Sequence, residues 1–406
     1  MIPKTSALIA FLLLCQPVFS QKIAAFKVEV PPGYAGIPVS VSLGGITNLS
    51  ESELTLAEVS GSTRTPVPMQ VSGGELSWMA QPGKVSREAV YELKAGESGK
   101  GASMAMVYQG GTLTIGTGEK NLLRYYFETL YPPAGVDSAY ARNAFIHPLW
   151  SPHGQELTRV QPKDHYHHYG IWNPWTHVLY EGDTVDFWNL RSKQGTVRFA
   201  DFVSTTVGTV FGEYKALHEH VVFRKDSEEV ALNELQTVRV YNPGGTDYYV
   251  VDFEFDMSCA TESPVRLLEY RYGGFGWRTT EEWNNKNSSV LSSEGKTRKD
   301  ADGTKARWCI VQGDVGGDHA GVVMMSYPSN YNHPEPLRIW PENQYGRGDM
   351  FANFSPTKDK DWLLEPGQDY ILRYRLIVFN GTFTKEQADA AWQSFASPVK
   401  LTVLKD

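Results

Sequence analysis

Cysteine is scarce, with 3 in 406 residues. One of these, Cys15, falls in the leading segment, which leaves Cys259 and Cys309 as either one bridge or two separate thiols. Basic charge is also short: 38 Lys and Arg face 46 Asp and Glu, for a net charge of −8. That balance argues against sequence-independent nucleic-acid binding, which needs a basic face, so no nucleic-acid partner is expected. There is no Walker A run and no Gly-x-Gly-x-x-Gly ahead of a helix, so a nucleotide cofactor has no support. Long apolar runs are lacking too. The longest early one, residues 7–15, is too short to cross a bilayer, and no membrane span is expected. Neither an internal repeat nor a linker long enough to force a domain boundary is visible.

What is present is a globular composition, 41% hydrophobic and 21% charged, with unusually many aromatics at 12%. Residues 1–20 read as a signal peptide. Lys4 precedes the apolar run, Val18 and Ser20 fit the −3 and −1 cleavage positions, and Gln21 begins the mature chain. A lipid-modified Cys15 is the alternative, though Leu14 stands where a small residue is wanted. Export across the inner membrane, to the periplasm, is the expected localisation.

Short alternating runs over residues 36–43, 111–127, 196–203, 209–223, 230–241, 247–257 and 370–379 are separated by Gly and Pro clusters. They predict an all-β fold, a large antiparallel β-sandwich. One short C-terminal helix is expected over residues 384–396, where Thr384 and Gln387 form a capping box. The polar run 286–303 reads as an exposed loop. Residues 21–110 are expected as an N-terminal β layer of the same unit, and 111–406 as the main sandwich carrying the site.

Six of the ten histidines lie between His147 and His177. The densest stretch is Asp164-His165-Tyr166-His167-His168-Tyr169-Gly170-Ile171-Trp172. His165 and His167 form an H-x-H pair able to present two imidazoles to one metal, and His218 and His220 form a second. A divalent metal, Zn or Ca, is the cofactor such a set admits; nothing in the sequence fixes one. Without a metal, histidine is the natural base near neutral pH, and a Tyr beside an Arg can move a proton in β-elimination at a uronic acid. Tyr166 and Arg142 supply those types. Asp186, set among Phe187 and Trp188, and Glu269 are the candidate carboxylate partners. Arg278 can grip a carboxylate with two parallel bonds. Trp172, Trp175 and Trp188 are candidate stacking platforms for a sugar ring, or else core residues. His147, His167, His168 and Asp186 are expected to converge in one pocket. Because adjacent histidines cannot share one face of a strand, residues 166–170 are expected to bend, with Gly170 supplying the turn.

The blocks Tyr140-Ala-Arg142 through His147-Pro148, Ser151-Pro152-His-Gly154, Asp164-His165-Tyr-His167-His168-Tyr-Gly170-Ile-Trp172 and Tyr272-Gly273-Gly274 with Trp277-Arg278 resemble the PmoA-like family of secreted bacterial proteins. So does Tyr327-Pro328 through His333-Pro334. The family carries a methane-oxygenase label that this chain does not support, since its mature N-terminus is Gln21 rather than a copper-binding His. The resemblance implies a galactose-mutarotase-like supersandwich, a setting among glycan-utilisation genes, and His147, His167, His168 and His333 as site residues. The expected function is a secreted enzyme cleaving a glycosidic bond of a carbohydrate substrate, by hydrolysis or elimination. A non-catalytic glycan-binding protein and a sugar epimerase or mutarotase are the alternatives. The oligomeric state is not legible.

Overall fold

The computed structural model describes residues 21–97, 101–397 and 399–404; the leader expected over residues 1–20 lies outside them. The chain is mostly antiparallel β-strand, with one α-helix, Lys385–Ala396, among the described residues. That helix starts at the capping box: Thr384 Oγ1 accepts from the Gln387 backbone N–H, and the Gln387 side chain accepts from the Thr384 N–H. No helix among the described residues is long and apolar enough to cross a membrane.

Two large sheets face each other. The first has eight strands in the order Gly195–Val207, Phe211–Phe223, Glu228–Tyr241, Tyr248–Cys259, Tyr370–Asn380, Asp318–Ser326, Trp308–Val315 and Ser288–Ser292. The second has nine, running from Lys305–Ala306 through Glu335–Ile339, Phe351–Phe354, Gly276–Arg278, Ile171–Trp172, Phe145–Leu149, Asn121–Tyr126 and Thr112–Thr117 to Met104–Gln109. Because successive side chains alternate faces, each strand sends every second residue inward. Val238, Val251, Phe253 and Leu376 from the first sheet meet Ile115, Ile146, Ile171, Trp277 and Phe354 from the second in one buried core. Alternation between Phe253 or Phe255 and the acids Asp252 and Glu254 reflects the same rule. The acids face outward and pair with Arg375 and Arg373 on the neighbouring strand.

Residues 22–95 build two smaller sheets around a core of their own, with Phe26, Leu54, Trp78 and Tyr91 at its centre. The strand Lys400–Leu404 returns to pair with Lys22–Val30. Gln70 ties this layer to the main sandwich: its Oε1 accepts from the backbone N–H groups of Val210 and Phe211. The polar run 286–303 departs from the loop expected of it. Ser288–Ser292 is an edge strand of the eight-stranded sheet, with Val290 inserted in the core. Serines flanking one apolar residue give little alternation to read. Cys259 and Cys309 are separate thiols, the first donating to the Leu364 carbonyl, the second buried in the core.

Candidate functional site

The outer face of the nine-stranded sheet carries a second, smaller cluster. Phe145, Trp172 and Phe351 point away from the main core and pack with Tyr169, Trp188, Leu190 and Trp340. Glycine makes this packing possible at one strand position. A Cβ on Gly276 would come within 2.9 Å of the Trp188 ring, so only glycine lets that indole lie against the strand.

Above this floor runs the histidine segment, which is a loop rather than a strand. The His165 backbone N–H donates to the Pro162 carbonyl and the His168 N–H to the His165 carbonyl, so consecutive turns fold the three imidazoles together. Gly170, at φ 56°, ends the loop where an added Cβ would collide with the Ile146 carbonyl oxygen. The ring centroids of His165, His167 and His168 are 4.7 to 5.1 Å apart. One nitrogen from each lies within 4.8 Å of the others, so among the described residues these three form a group that could hold a metal. Burial pulls the His167 imidazole down to about 3, with His165 adding to the fall and Asp164 opposing it, and burial with neighbouring positive groups holds His168 well below its ordinary value. Both rings are therefore neutral near pH 7, each with a lone pair to offer.

The imidazoles open into a cavity of about 320 Å³ lined also by Trp188, Asn189, Arg271, Tyr272, Arg338, Trp340, Gln344, Tyr345 and Phe351. That size and mixture of rings with a few polar groups suit a small-ligand site. A slightly larger cavity of about 360 Å³ lies against the N-terminal layer, and among the described residues no His, Asp, Glu, Lys or Arg lines it.

The expected site residues separate into those at the cleft and those behind or away from it. His165, His167, His168 and Trp188 line it. Trp172 is buried beneath His168, with ring centroids 5.2 Å apart, and is a floor rather than an open platform. Trp175 lies in the sandwich core. His147 stands on the neighbouring strand, but its Nδ1 is bonded to Thr158 Oγ1 at 2.9 Å, and burial together with the Arg124 charge lowers it to about 4. It does not join the cluster. Nor does Asp186 offer a free carboxylate: it accepts from the backbone N–H of Trp188 and Asn189 and from Asn189 Nδ2. Its work is to fix Asn189, whose Oδ1 accepts from the Tyr272 hydroxyl. Glu269 is exposed and does not line the cleft.

Arg278 is corrected from substrate clamp to buried support. Its Nη2 donates to Asp164 at 2.9 Å and lies 3.4 Å from Asp349, and the residue is fully buried and does not line the cleft, so a substrate there does not reach it. Burial lowers the guanidinium to about 10, with Arg159 nearby. The Asp164 carboxyl, which burial would raise, is held below the usual range by its bond with His165 and the Arg278 charge. Arg142 is buried, donates to the Phe187 carbonyl and lies over the Tyr169 ring. Tyr166 packs on Tyr140 outside the cleft, and His333 bonds Ser326 and stacks on Trp392. His218 and His220 sit buried in the core, where both bond Glu234, and Tyr125 adds its hydroxyl to His218.

Arg338, Trp340, Gln344, Tyr345 and Phe351 were not anticipated. The signal was faint: Leu337-Arg338-Ile339-Trp340 alternates apolar inner residues with long outer ones. The segment from Pro341 to Gly348 then reads as a loop containing one aromatic ring.

Among solved structures, the chain resembles an alpha-mannosidase from Enterococcus faecalis V583, at 9% identity and a TM-score of 0.45, covering 94% of this chain and 46% of that one. It also resembles a protein in the glycosyl hydrolase family 38 from Enterococcus faecalis, at 8% identity and a TM-score of 0.44, covering 94% and 47%. The chain thus spans about half the length of these two proteins. A third likeness, at 9% identity and a TM-score of 0.33, is to a galactose mutarotase related enzyme from Lactobacillus acidophilus, covering 69% of this chain and 98% of that one. No curated protein matches. The family model described as "Family of unknown function (DUF6807)" matches residues 112–393, well over half the chain, and the protein belongs to that family.

Proposed function

We propose that the protein is an exported carbohydrate-active enzyme that cleaves a glycosidic bond in the cleft beside the three histidines. The observation that supports this most is the meeting, in one cavity, of imidazoles with Trp188, Trp340, Tyr272 and Tyr345 and with two guanidinium groups, Arg271 and Arg338. An aromatic ring offers an apolar face to the C–H side of a pyranose, while Arg and Asn bind its hydroxyls or carboxylate. The resemblance to PmoA-like secreted proteins, with their setting among glycan-utilisation genes, points to the same substrate class.

Of the two routes, elimination on an acidic sugar fits the cleft better than hydrolysis by paired carboxylates. Hydrolysis of that kind needs two Asp or Glu flanking the bond, and among the described residues lining the cleft none is acidic. In elimination, Arg271 or Arg338 neutralises the sugar carboxylate, and a base held at the histidine cluster, an imidazole or a water bound there, takes the adjacent C–H proton. The electron pair forms the new C=C bond as the glycosidic C–O bond breaks, and the leaving oxygen takes up a proton.

The test is to incubate the purified mature protein with a panel of neutral and uronate-containing oligosaccharides. An unsaturated, ultraviolet-absorbing product is expected, together with loss of turnover in His167→Ala at a nearly unchanged Tm. New reducing ends without unsaturation would replace elimination with hydrolysis. Binding without any turnover would reduce the protein to a glycan-binding module.

A further inference from the structure

We propose that His165, His167 and His168 together hold one divalent transition-metal ion, with zinc the best match. The inference rests on the proposed sugar-cleaving reading only in placing the ion at the substrate cleft; the metal site itself stands on geometry.

The first support is the convergence of three imidazoles, one nitrogen from each lying within 4.8 Å of the others. Zinc–nitrogen bonds of about 2.0–2.1 Å set tetrahedral N···N spacings of roughly 3.3 Å. The nitrogens need draw together by up to about 1.5 Å, within the reach of side chains carried on a turn.

The second support is His168. Its residue is 3% exposed, it lines the cleft, and its Nδ1 has no hydrogen-bond partner. A buried nitrogen left unpaired carries a desolvation cost that coordination removes.

The third is the setting of His165. Its Nδ1 lies 3.0 Å from the Asp164 carboxylate, which is itself gripped by Arg278. An N–H donated to a carboxylate fixes the ring and leaves the opposite nitrogen as the electron-pair donor, the arrangement that commonly stands behind a metal-bound histidine. That opposite nitrogen, Nε2, faces the Tyr345 hydroxyl at 3.0 Å, on the cleft side.

Ligand type selects the ion. Three imidazoles, with no carboxylate among the described residues lining the cleft, suit zinc and its neighbours in the transition series. Calcium prefers six to eight oxygens and is disfavoured. Three protein ligands leave a fourth position open towards the cleft, as in catalytic rather than structural zinc sites. An ion so placed lowers the pKa of a bound water and polarises a sugar oxygen.

The experiment uses the full mature chain, stripped with a chelator and titrated with Zn²⁺ by calorimetry and with Co²⁺ by visible absorption. One ion per chain is expected, with cobalt absorption characteristic of nitrogen ligands. His165→Ala and His167→Ala, each checked by circular dichroism, should weaken binding by about 100-fold or more. His153→Ala, outside the cleft, should bind as the parent does. If one cleft variant misfolds, the other decides. Absence of saturable binding, binding unchanged in the folded cleft variant, or binding lost in His153→Ala would each overturn the site. Stoichiometric metal with a silent sugar panel would leave the metal site standing and remove the sugar reading. Sugar turnover by a protein that binds no metal would do the reverse.

Discussion

The Arg278 guanidinium lies over the Trp340 ring, its central carbon 4.4 Å from the ring centroid, while its Nη2 reaches Asp164. A residue from the sheet thereby supports both the indole wall of the cleft and the carboxylate that orients His165. This charge is fully buried, so its planar shape matters as much as its sign.

Arg278→Lys keeps the charge and loses the stacking fork. A loss of about 1–2 kcal/mol is expected, in line with a desolvated cation–π contact. Arg278→Met leaves Asp164 with His165 and Asp349 with Arg347 and Arg159 as their remaining partners, and should cost about 2–4 kcal/mol. That is less than a fully buried pair would, because the Asp164 side chain is 25% exposed. Urea denaturation measures both. A Lys variant as stable as the parent would show that the Trp340 contact contributes nothing.

Gly170→Ala probes the end of the imidazole loop. A Cβ there collides with the Ile146 carbonyl oxygen, and φ is positive. The backbone must move, so a loss of about 2–3 kcal/mol is expected. Sugar binding should weaken with it, because the same backbone carries His168. Calorimetric unfolding together with a binding titration on the folded fraction checks both effects.

The fold was more legible than the site, for a physical reason. Strand alternation is local and repeats: Val238, Val240, Phe253 and Phe255 announce their inward face by sequence alone. The helix was equally plain, because Thr384 and Gln387 are three residues apart. At the site, His165, His167 and His168 were visible as a cluster since one loop carries all three. Arg338, Trp340 and Tyr345 come from strands and loops about 170 residues later, and only sheet order brings them across. Asp186 misled because an Asp among aromatics looks like a perturbed acid, whereas its short side chain turns back to bond the Trp188 and Asn189 backbone. Arg278 misled because nothing local reveals that Asp349, 71 positions away, already shares its charge.

Tyr345→Ala separates binding from folding. The residue is 54% exposed and lines the cleft, so stability should change by no more than about 0.5 kcal/mol. Losing one aromatic contact of roughly 0.5–1.5 kcal/mol should weaken sugar binding by about 2–12-fold. Isothermal titration with the best ligand of the panel reads this directly. An unchanged affinity would place the sugar elsewhere in the cavity, against Trp340 or Tyr272.

Glu335 predicts a pH dependence unrelated to the cleft. Its carboxyl is fully buried on the strand Glu335–Ile339, where Ser326, Asn330 and the Tyr374 hydroxyl surround it. Burial pushes its pKa up to about 7, and the three hydrogen bonds only partly oppose this rise. An acid with a raised folded pKa holds its proton in the native state while the unfolded chain has released it. Stability from this group is therefore full below the unfolded value of 4.5 and falls as pH rises towards 7. The loss across that window is about 3 kcal/mol, because each tenfold difference in proton affinity between the folded and unfolded chains is worth about 1.4 kcal/mol. Glu335→Gln removes the titrating proton, so the variant should lack this component of the decline. Denaturation midpoints of both proteins at pH 5 and pH 8 make the comparison. The parent should lose more stability between them than the variant does, and parallel profiles would show that Glu335 stays ionised in its buried site.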